Sequence, residues 1–141
     1  GIYVKDNFNS EELACKIYKP SYISLEYVLQ KAGVIFQYSE KITLVSYLTR
    51  SIDFEGNNSN IFLSLRKIRY PVLLNTTGIL RDNTGINIAC PERAFLDTIY
   101  LMKEYYFDNP GILDQKIIKS LLKIYNSNTL NNRVLKILKN V

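Results

Sequence analysis

The sequence contains no histidine and only two cysteines, Cys15 and Cys90. The absence of histidine excludes histidine-based catalytic triads and histidine–metal sites, and it removes the commonest general base. Neither cysteine lies in a CxxC pair, so the spacing of a zinc or redox motif is also missing. Cys15 and Cys90 are compatible with one disulfide or with two buried thiols. We expect thiols, because the other features of the sequence indicate a cytoplasmic protein.

Long apolar runs and phosphate-binding motifs are also missing. No stretch approaches the roughly 20 apolar residues that a membrane span needs. The first residues, GIYVKDNF, lack the basic region and apolar run of a signal peptide. There is no P-loop, GxSxG or dinucleotide fingerprint. The apolar fraction of 47% is that of a globular protein with a core. We therefore expect a cytoplasmic domain with no cofactor and no bound metal.

The net charge of +5 lies entirely in the last thirty residues. Residues 1–111 carry twelve basic and twelve acidic side chains, whereas residues 112–141 carry six basic ones against Asp114 alone. Such segregation is typical of a surface that contacts DNA or RNA. It is equally compatible with the solvated outer face of two helices in a lysine-rich protein.

Local signals predict where the first helices begin and end. Asn9 or Ser10 is placed to cap a short helix, and Ser24 to cap a second one. Gly33 is placed to end the second helix. Pro91 opens the clearest helix of the chain, since proline is well tolerated at the first helical position.

Between these helices the pattern changes to that of strands. Residues 42–49 are β-branched and aromatic, and residues 61–66 alternate between apolar and other side chains. Shorter strands are predicted at 2–4, 53–55, 72–74, 79–81 and 86–89, with a turn at 55–60.

Two amphipathic helices are predicted at about 113–125 and 129–140. Their expected inward sets are Leu113, Ile117, Ile118, Leu121, Leu122 and Ile124, and then Leu130, Val134, Ile137, Leu138 and Val141. The order of elements predicts an α+β fold: a small mixed β-sheet with packed helices and a basic C-terminal helical pair.

Two short blocks resemble AbiEi-type antitoxins. Residues 89–97 read ACPERAFLD, where that family usually has Ala-Thr-Pro-Glu-Lys/Arg-Ala-Leu-Leu-Asp, and residues 22–33 read YISLEYVLQKAG, similar to a tyrosine–isoleucine–serine opening followed by a helix ending in glycine. The resemblance spans roughly residues 1–105. The matching motif positions in the block 89–97 are Pro91, Glu92, Arg93 and Asp97. Cys90 departs from the family's threonine, and cysteine is a poor helix cap.

The resemblance implies a non-enzymatic antitoxin and transcriptional autoregulator from a bacterial abortive-infection system of phage defence. Such a protein represses its own operon and counters a nucleotidyltransferase-like toxin without a tight complex. Residues 1–5 would end a winged helix that reads operator DNA and precedes this chain. Residues 6–109 would form the AbiEi-like domain, and residues 110–141 the basic helical pair packed on it.

The candidate site residues each have two interpretations. Arg93 and Asp97, four apart on one helix, either pair with each other or, with Glu92, face a partner. The basic residues near the end of the predicted strand 61–66 either contact phosphate or protect a sheet edge. The full predicted nucleic-acid-binding set is Arg66, Lys67, Arg69, Lys116, Lys119, Lys123, Arg133, Lys136 and Lys139.

Two other function classes remain open. A degenerate nuclease-like domain would gather carboxylates around a metal ion. The usual nuclease pattern is an Asp on a strand followed by Asp/Glu-x-Lys. Asp53 and Glu55 lie near a turn and lack the lysine of this pattern. Asp114-Gln-Lys116 has the residues of the second part, but it lies at a predicted helix start. The other class is a plain oligomerisation module of a transcriptional regulator.

Overall fold

The computed structural model describes residues 9–55 and 60–141. The predicted strand at 2–4, the boundary at residues 1–5 and most of the turn at 55–60 lie outside the described residues. The described residues form the α-helices α1 (Ser10–Ile17), α2 (Glu26–Ala32), α3 (Tyr70–Leu73), α4 (Pro91–Leu101), α5 (Gln115–Tyr125) and α6 (Asn128–Leu138). Their strands are β1 (Tyr22–Ile23), β2 (Ile42–Ser46), β3 (Arg50–Glu55), β4 (Asn60–Lys67), β5 (Ile79–Arg81) and β6 (Asn87–Ala89).

The strands form one six-stranded mixed sheet in the order β3-β4-β2-β1-β6-β5. The pairs β2–β4 and β1–β6 are parallel, and the other three pairs are antiparallel. The prediction of an α+β fold with a mixed sheet is therefore confirmed. The short 3-10 turn Pro110–Ile112 connects the sheet-and-helix body to the C-terminal helices.

Two inner strands of the sheet, β2 and β4, place apolar side chains opposite each other. Ile42 lies opposite Leu63 and Leu44 opposite Leu65, and all four side chains are buried. All five residues of β2 are buried, so both of its faces are covered. In β4 the buried residues alternate with partly exposed ones, as the period-two pattern predicted.

Two of the predicted helix boundaries are confirmed at atomic detail. The Asn9 side chain accepts hydrogen bonds from the N–H groups of Glu11 and Glu12 at the start of α1. Gly33 ends α2 in the left-handed conformation, with φ of 79°, and its N–H bonds to the carbonyls of Gln30 and Leu29. A left-handed residue at this position favours glycine.

The prediction that Ser24 caps α2 is wrong. The cap position is Leu25, which has a positive φ of 64° and no side-chain cap bond. The N–H of Tyr27 instead donates to the Thr43 hydroxyl on β2, at 3.0 Å. Ser24 is left free for a partner elsewhere in the core.

The predicted strand at 72–74 is also wrong, because residues 70–73 form the one-turn helix α3. Pro71 lies in the first turn of this helix, where its missing N–H leaves no helical hydrogen bond unmade. A three-residue apolar run does not by itself distinguish a strand from a buried helical turn.

Helix α4 is the central helix of the group that packs on the sheet. It begins at Pro91 as predicted, and every residue from 92 to 99 is buried. It packs against α2, α5, α6 and β6. The helix ends at Leu101.

The inward faces of α5 and α6 were predicted only in part. Ile118, Leu121, Leu130 and Val134 are buried, but Ile117 is 40% exposed and Val141 is 58% exposed. Tyr125, which the predicted set omitted, is 1% exposed. It lies seven residues after Ile118, and this spacing returns a side chain to the same helix face.

The thiols of Cys15 and Cys90 are both free, as expected, but only Cys15 is buried, and Cys90 is partly exposed. Cys90 occupies the N-cap position of α4 and makes no side-chain cap bond, which agrees with the poor capping ability of cysteine. Among the helices of residues 9–55 and 60–141, none has the length and apolar character needed to cross a bilayer.

Candidate functional site

Arg93 and Asp97 lie on the same face of α4, and both side chains are 0% exposed. They do not form the direct ion pair that their spacing predicted. In the described part of the chain the salt bridges are Lys16–Glu12 and Lys31–Glu11. The Tyr22 hydroxyl lies between the two groups, donating to Asp97 at 2.9 Å and accepting from Arg93 at 3.2 Å.

The Asp97 carboxylate receives three hydroxyl donors. Tyr125 lies 2.5 Å from one oxygen, and Ser24 and Tyr22 lie 2.7 Å and 2.9 Å from the other. Burial raises the pKa of this carboxyl above its ordinary value, while the hydrogen bond from Tyr125 and the positive charge of Arg93 oppose that rise. Three donors and no acceptor are the set that an ionised carboxylate requires.

The Arg93 guanidinium binds the backbone of the segment between α3 and β5. It donates to the carbonyls of Val72 at 2.7 Å, Asn75 at 2.6 Å and Thr77 at 2.5 Å. Its centre also lies 4.7 Å from the centroid of the Tyr22 ring. A fixed fork of donors suits this arrangement, because several carbonyls of one loop converge on one side chain.

Glu92 joins α4 to the start of α5. Its carboxylate accepts the N–H of Asp114 at 3.0 Å, and Asp114 is the N-cap residue of α5. Glu92 is 9% exposed, so it contacts the protein's own backbone and is nearly closed to outside partners. The motif residues Glu92, Arg93 and Asp97 are thus inside the protein, each bonded to a different segment.

The two family-like blocks meet in this polar cluster. Tyr22 and Ser24 come from the block 22–33, and Arg93 and Asp97 come from the block 89–97. Sequence reasoning placed these residues in motifs but did not connect them, and it missed Tyr125 entirely. Because the cluster is closed to solvent, its direct effect is to fix α4, α5 and the sheet relative to one another.

The basic residues of α5 lie on the surface as predicted. Lys116, Lys119 and Lys123 are all exposed, and their spacing of three and four puts them on one helix face. None of the three is within salt-bridge distance of a carboxylate among the described residues. Their charge is therefore available to a polyanion.

The remaining basic candidates divide into exposed and partly buried side chains. Arg133 was expected on an outer face, but it is half-buried and its guanidinium lies 3.4 Å from the Ile99 carbonyl. The half-buried Arg66 lies opposite Val45 in the sheet. The exposed members of the set are Lys67, Arg69, Lys136 and Lys139.

The acidic residues of the nuclease alternative are dispersed. Asp53 and Glu55 are exposed on β3, an edge strand, and Asp114 uses its carboxylate to accept the N–H groups of Lys116 and Ile117. Within residues 9–55 and 60–141, no three His, Cys, Asp or Glu side chains are grouped so that they could hold a metal ion.

Comparisons of the chain with protein-family models, with curated proteins and with solved structures find no match. The likeness to AbiEi-type antitoxins therefore rests on the two sequence blocks alone.

Proposed function

We propose that this chain is the C-terminal domain of an AbiEi-type antitoxin and transcriptional autoregulator, a cytoplasmic protein that acts by binding. The observation that carries the proposal is the meeting of the two family-like blocks. Tyr22 and Ser24 are separated from Arg93 and Asp97 by about seventy residues, and their side chains are joined by hydrogen bonds of 2.7–3.2 Å. Two short resemblances whose residues contact each other in the fold are less readily explained as chance matches than two whose residues lie apart.

The buried state of the motif residues favours binding over catalysis by this cluster. A catalytic carboxylate must reach its substrate, and Asp97 is 0% exposed with both oxygens already bonded. The cluster instead stabilises the surfaces around it. Activity of the domain is then a property of its exposed residues.

The exposed face of α5 is the surface that we assign to nucleic acid. Lys116, Lys119 and Lys123 give a row of positive charge that binds phosphates without reading sequence. In the full regulator, a winged helix preceding this chain would read the operator, and the α5 face would add salt-dependent affinity. Lys136 and Lys139 add further exposed charge on and just after α6.

Charge reversal tests this surface. The variant Lys116→Glu/Lys119→Glu lowers the net charge by four, as does the control Lys41→Glu/Lys103→Glu at two other exposed lysines. We expect the first variant to weaken retention on duplex DNA about tenfold or more at low salt and to flatten the salt dependence by about two phosphate contacts. Equal retention by both variants would remove the α5 face from the proposal.

The antitoxin role is tested in a separate experiment, in which cell growth is the readout. Co-expression of this chain with a nucleotidyltransferase-like toxin should restore the growth that the toxin arrests if the chain carries the antitoxin activity. No co-purification of the two proteins is expected, since the antagonism does not need a tight complex.

A further inference from the structure

The strand β3 is the longer of the two edge strands of the described sheet. It has six residues, whereas β5, at the opposite edge, has three. It pairs with β4 through consecutive residue pairs, from Arg50 opposite Leu65 to Glu55 opposite Asn60, without a bulge or a proline. On its outer side, the N–H and C=O groups of alternate residues meet no further strand of the described sheet. Such an edge is a template for one more strand.

The charged side chains of β3 decide which strand this edge accepts. Sheet edges are commonly protected by charges, and β3 carries Arg50, Asp53 and Glu55, all of them exposed. A strand that sets like charges opposite these residues is repelled. A strand that carries both signs and hydroxyl groups at matching positions is not. The sequence of β3 itself supplies such a strand.

Symmetry restricts how two copies of β3 can pair. Residues directly opposite each other in an antiparallel pair point to the same face of the sheet, and successive residues of a strand alternate between faces. A two-fold axis perpendicular to the sheet leaves each face on its own side. Residues that face each other across the axis must therefore be the same residue, or lie an even number of positions apart in the sequence.

The register centred on Ile52 sets no like charges opposite each other. Ile52 then faces its own counterpart, Ser51 faces the Asp53 of the second copy, and Arg50 faces its Phe54. A hydroxyl opposite a carboxylate and a cation beside an aromatic ring are favourable pairs. The register centred on Asp53 instead places two carboxylates face to face, which is unfavourable. The charges of β3 thus select one register of self-pairing.

A groove of about 450 Å³ beside β3 offers apolar contacts to the added strand. It lies between β3 and the end of α1, and Ile17, Tyr18 and the half-buried Ile52 are among the residues that line it. The Arg50 guanidinium donates a hydrogen bond to the Tyr18 hydroxyl and lies 5.8 Å from the centre of the Tyr18 ring. In the register centred on Ile52, the isoleucine of the second copy lies next to this lining and covers it.

We propose that two copies of this chain pair through β3, antiparallel and with Ile52 at the two-fold axis, so that their six-stranded sheets join into one. Main-chain hydrogen bonds supply the attraction, and the side chains fix the register. The contact is small, so the dimer forms reversibly at micromolar or higher concentration. The inference goes beyond the proposed antitoxin role and does not depend on it.

Sedimentation velocity over a concentration series measures the dissociation constant of this dimer. Ser51→Lys and Ser51→Glu change one exposed side chain in opposite directions. Because position 51 faces Asp53 twice in each dimer, we expect Ser51→Lys to tighten the dimer about threefold to tenfold and Ser51→Glu to weaken it by a similar factor. Repulsion between two chains of net charge +5 predicts the opposite order, since lysine raises that charge and glutamate lowers it. Equal constants, or the opposite order, would overturn the register.

Ile52→Lys tests the strand itself, because it sets like charges face to face at the axis. It should weaken the dimer about tenfold or more. Leu80→Lys adds the same charge on β5, at the opposite edge of the sheet, where Leu80 is 66% exposed. This control should leave the constant within about twofold of the wild type.

A charge swap keeps the test independent of any folding defect in Ile52→Lys. Ser51→Glu/Asp53→Lys again places opposite charges across the axis, and it should restore the dimer that Ser51→Glu weakens. Failure of this rescue would contradict the assigned register. A wild-type chain that sediments as a monomer up to about 1 mM, or equal weakening by Ile52→Lys and Leu80→Lys, would overturn the proposal.

Discussion

The hydroxyl of Tyr125, at the end of α5, lies 2.5 Å from the carboxylate of Asp97 in the middle of α4. This hydrogen bond joins the C-terminal basic region to the core of the domain. Both side chains are fully or almost fully buried. The orientation of the lysine face on α5 therefore depends on a contact that is itself closed to solvent.

Tyr125→Phe is expected to destabilise the fold by about 1–3 kcal/mol, because Asp97 loses a donor and no water can replace it. Chemical denaturation measures the difference in the free energy of unfolding. Tyr106→Phe is the matched control, since Tyr106 is 79% exposed, and it should change stability by less than about 0.5 kcal/mol. Similar values for both variants would mean that the buried bond contributes little.

Asp97→Ala is expected to have the larger effect, about 3–5 kcal/mol, because it leaves Arg93 buried without a compensating charge. A double-mutant cycle with Tyr22→Phe measures the coupling through the bridging hydroxyl. We expect a coupling energy of about 0.5–3 kcal/mol. Additive effects within a few tenths of a kcal/mol would show that Tyr22 does not link the two groups.

Alkaline pH should unfold the protein partly through its two buried tyrosines. Burial, reinforced by the Asp97 charge, raises the pKa of Tyr22 and of Tyr125 well above 10. The stability from these groups is complete below pH 10, the ordinary value, and is lost as the pH rises through their folded-state pKa. Tyrosinate absorbance should show two tyrosines that ionise only with unfolding, and Tyr22→Phe/Tyr125→Phe should remove both. Full ionisation of all tyrosines in the folded protein would refute this.

Gly78→Ala should destabilise the protein by about 1–3 kcal/mol. Gly78 has a positive φ of 78°, and an added Cβ would lie 3.2 Å from Leu121 and 3.3 Å from Cys90. Thermal unfolding measures the loss. Gly111→Ala is a useful contrast, because Gly111 has no positive φ and its added Cβ would meet only the exposed Val141. A smaller loss at position 78 than at position 111 would contradict the account of this turn.

The sequence predicted those features that depend on neighbours in the chain. Asn9 caps α1, Gly33 ends α2 and Pro91 opens α4, because each needs only the backbone a few residues away. The alternation in β4 and the α+β class follow from hydrophobic periodicity.

The features that sequence reasoning missed are long-range. Ser24 has the right residue type for a cap, but its hydroxyl bonds to Asp97, which lies 73 positions later in the chain. Arg93 has the right spacing to pair with Asp97, yet its donors go to carbonyls of another segment. A single sequence contains no signal for such partners, because tertiary packing selects among bonds that are locally equivalent.

Growth rescue tests the central proposal most directly. Cells that express a nucleotidyltransferase-like toxin are supplied with the wild-type chain, with Lys41→Glu/Lys103→Glu, or with Asp97→Ala. We predict growth with the wild type and with the Lys41/Lys103 control, and loss of rescue with the destabilised Asp97→Ala. Continued arrest with the wild-type chain, at protein levels equal to those of a known antitoxin, would contradict the proposal.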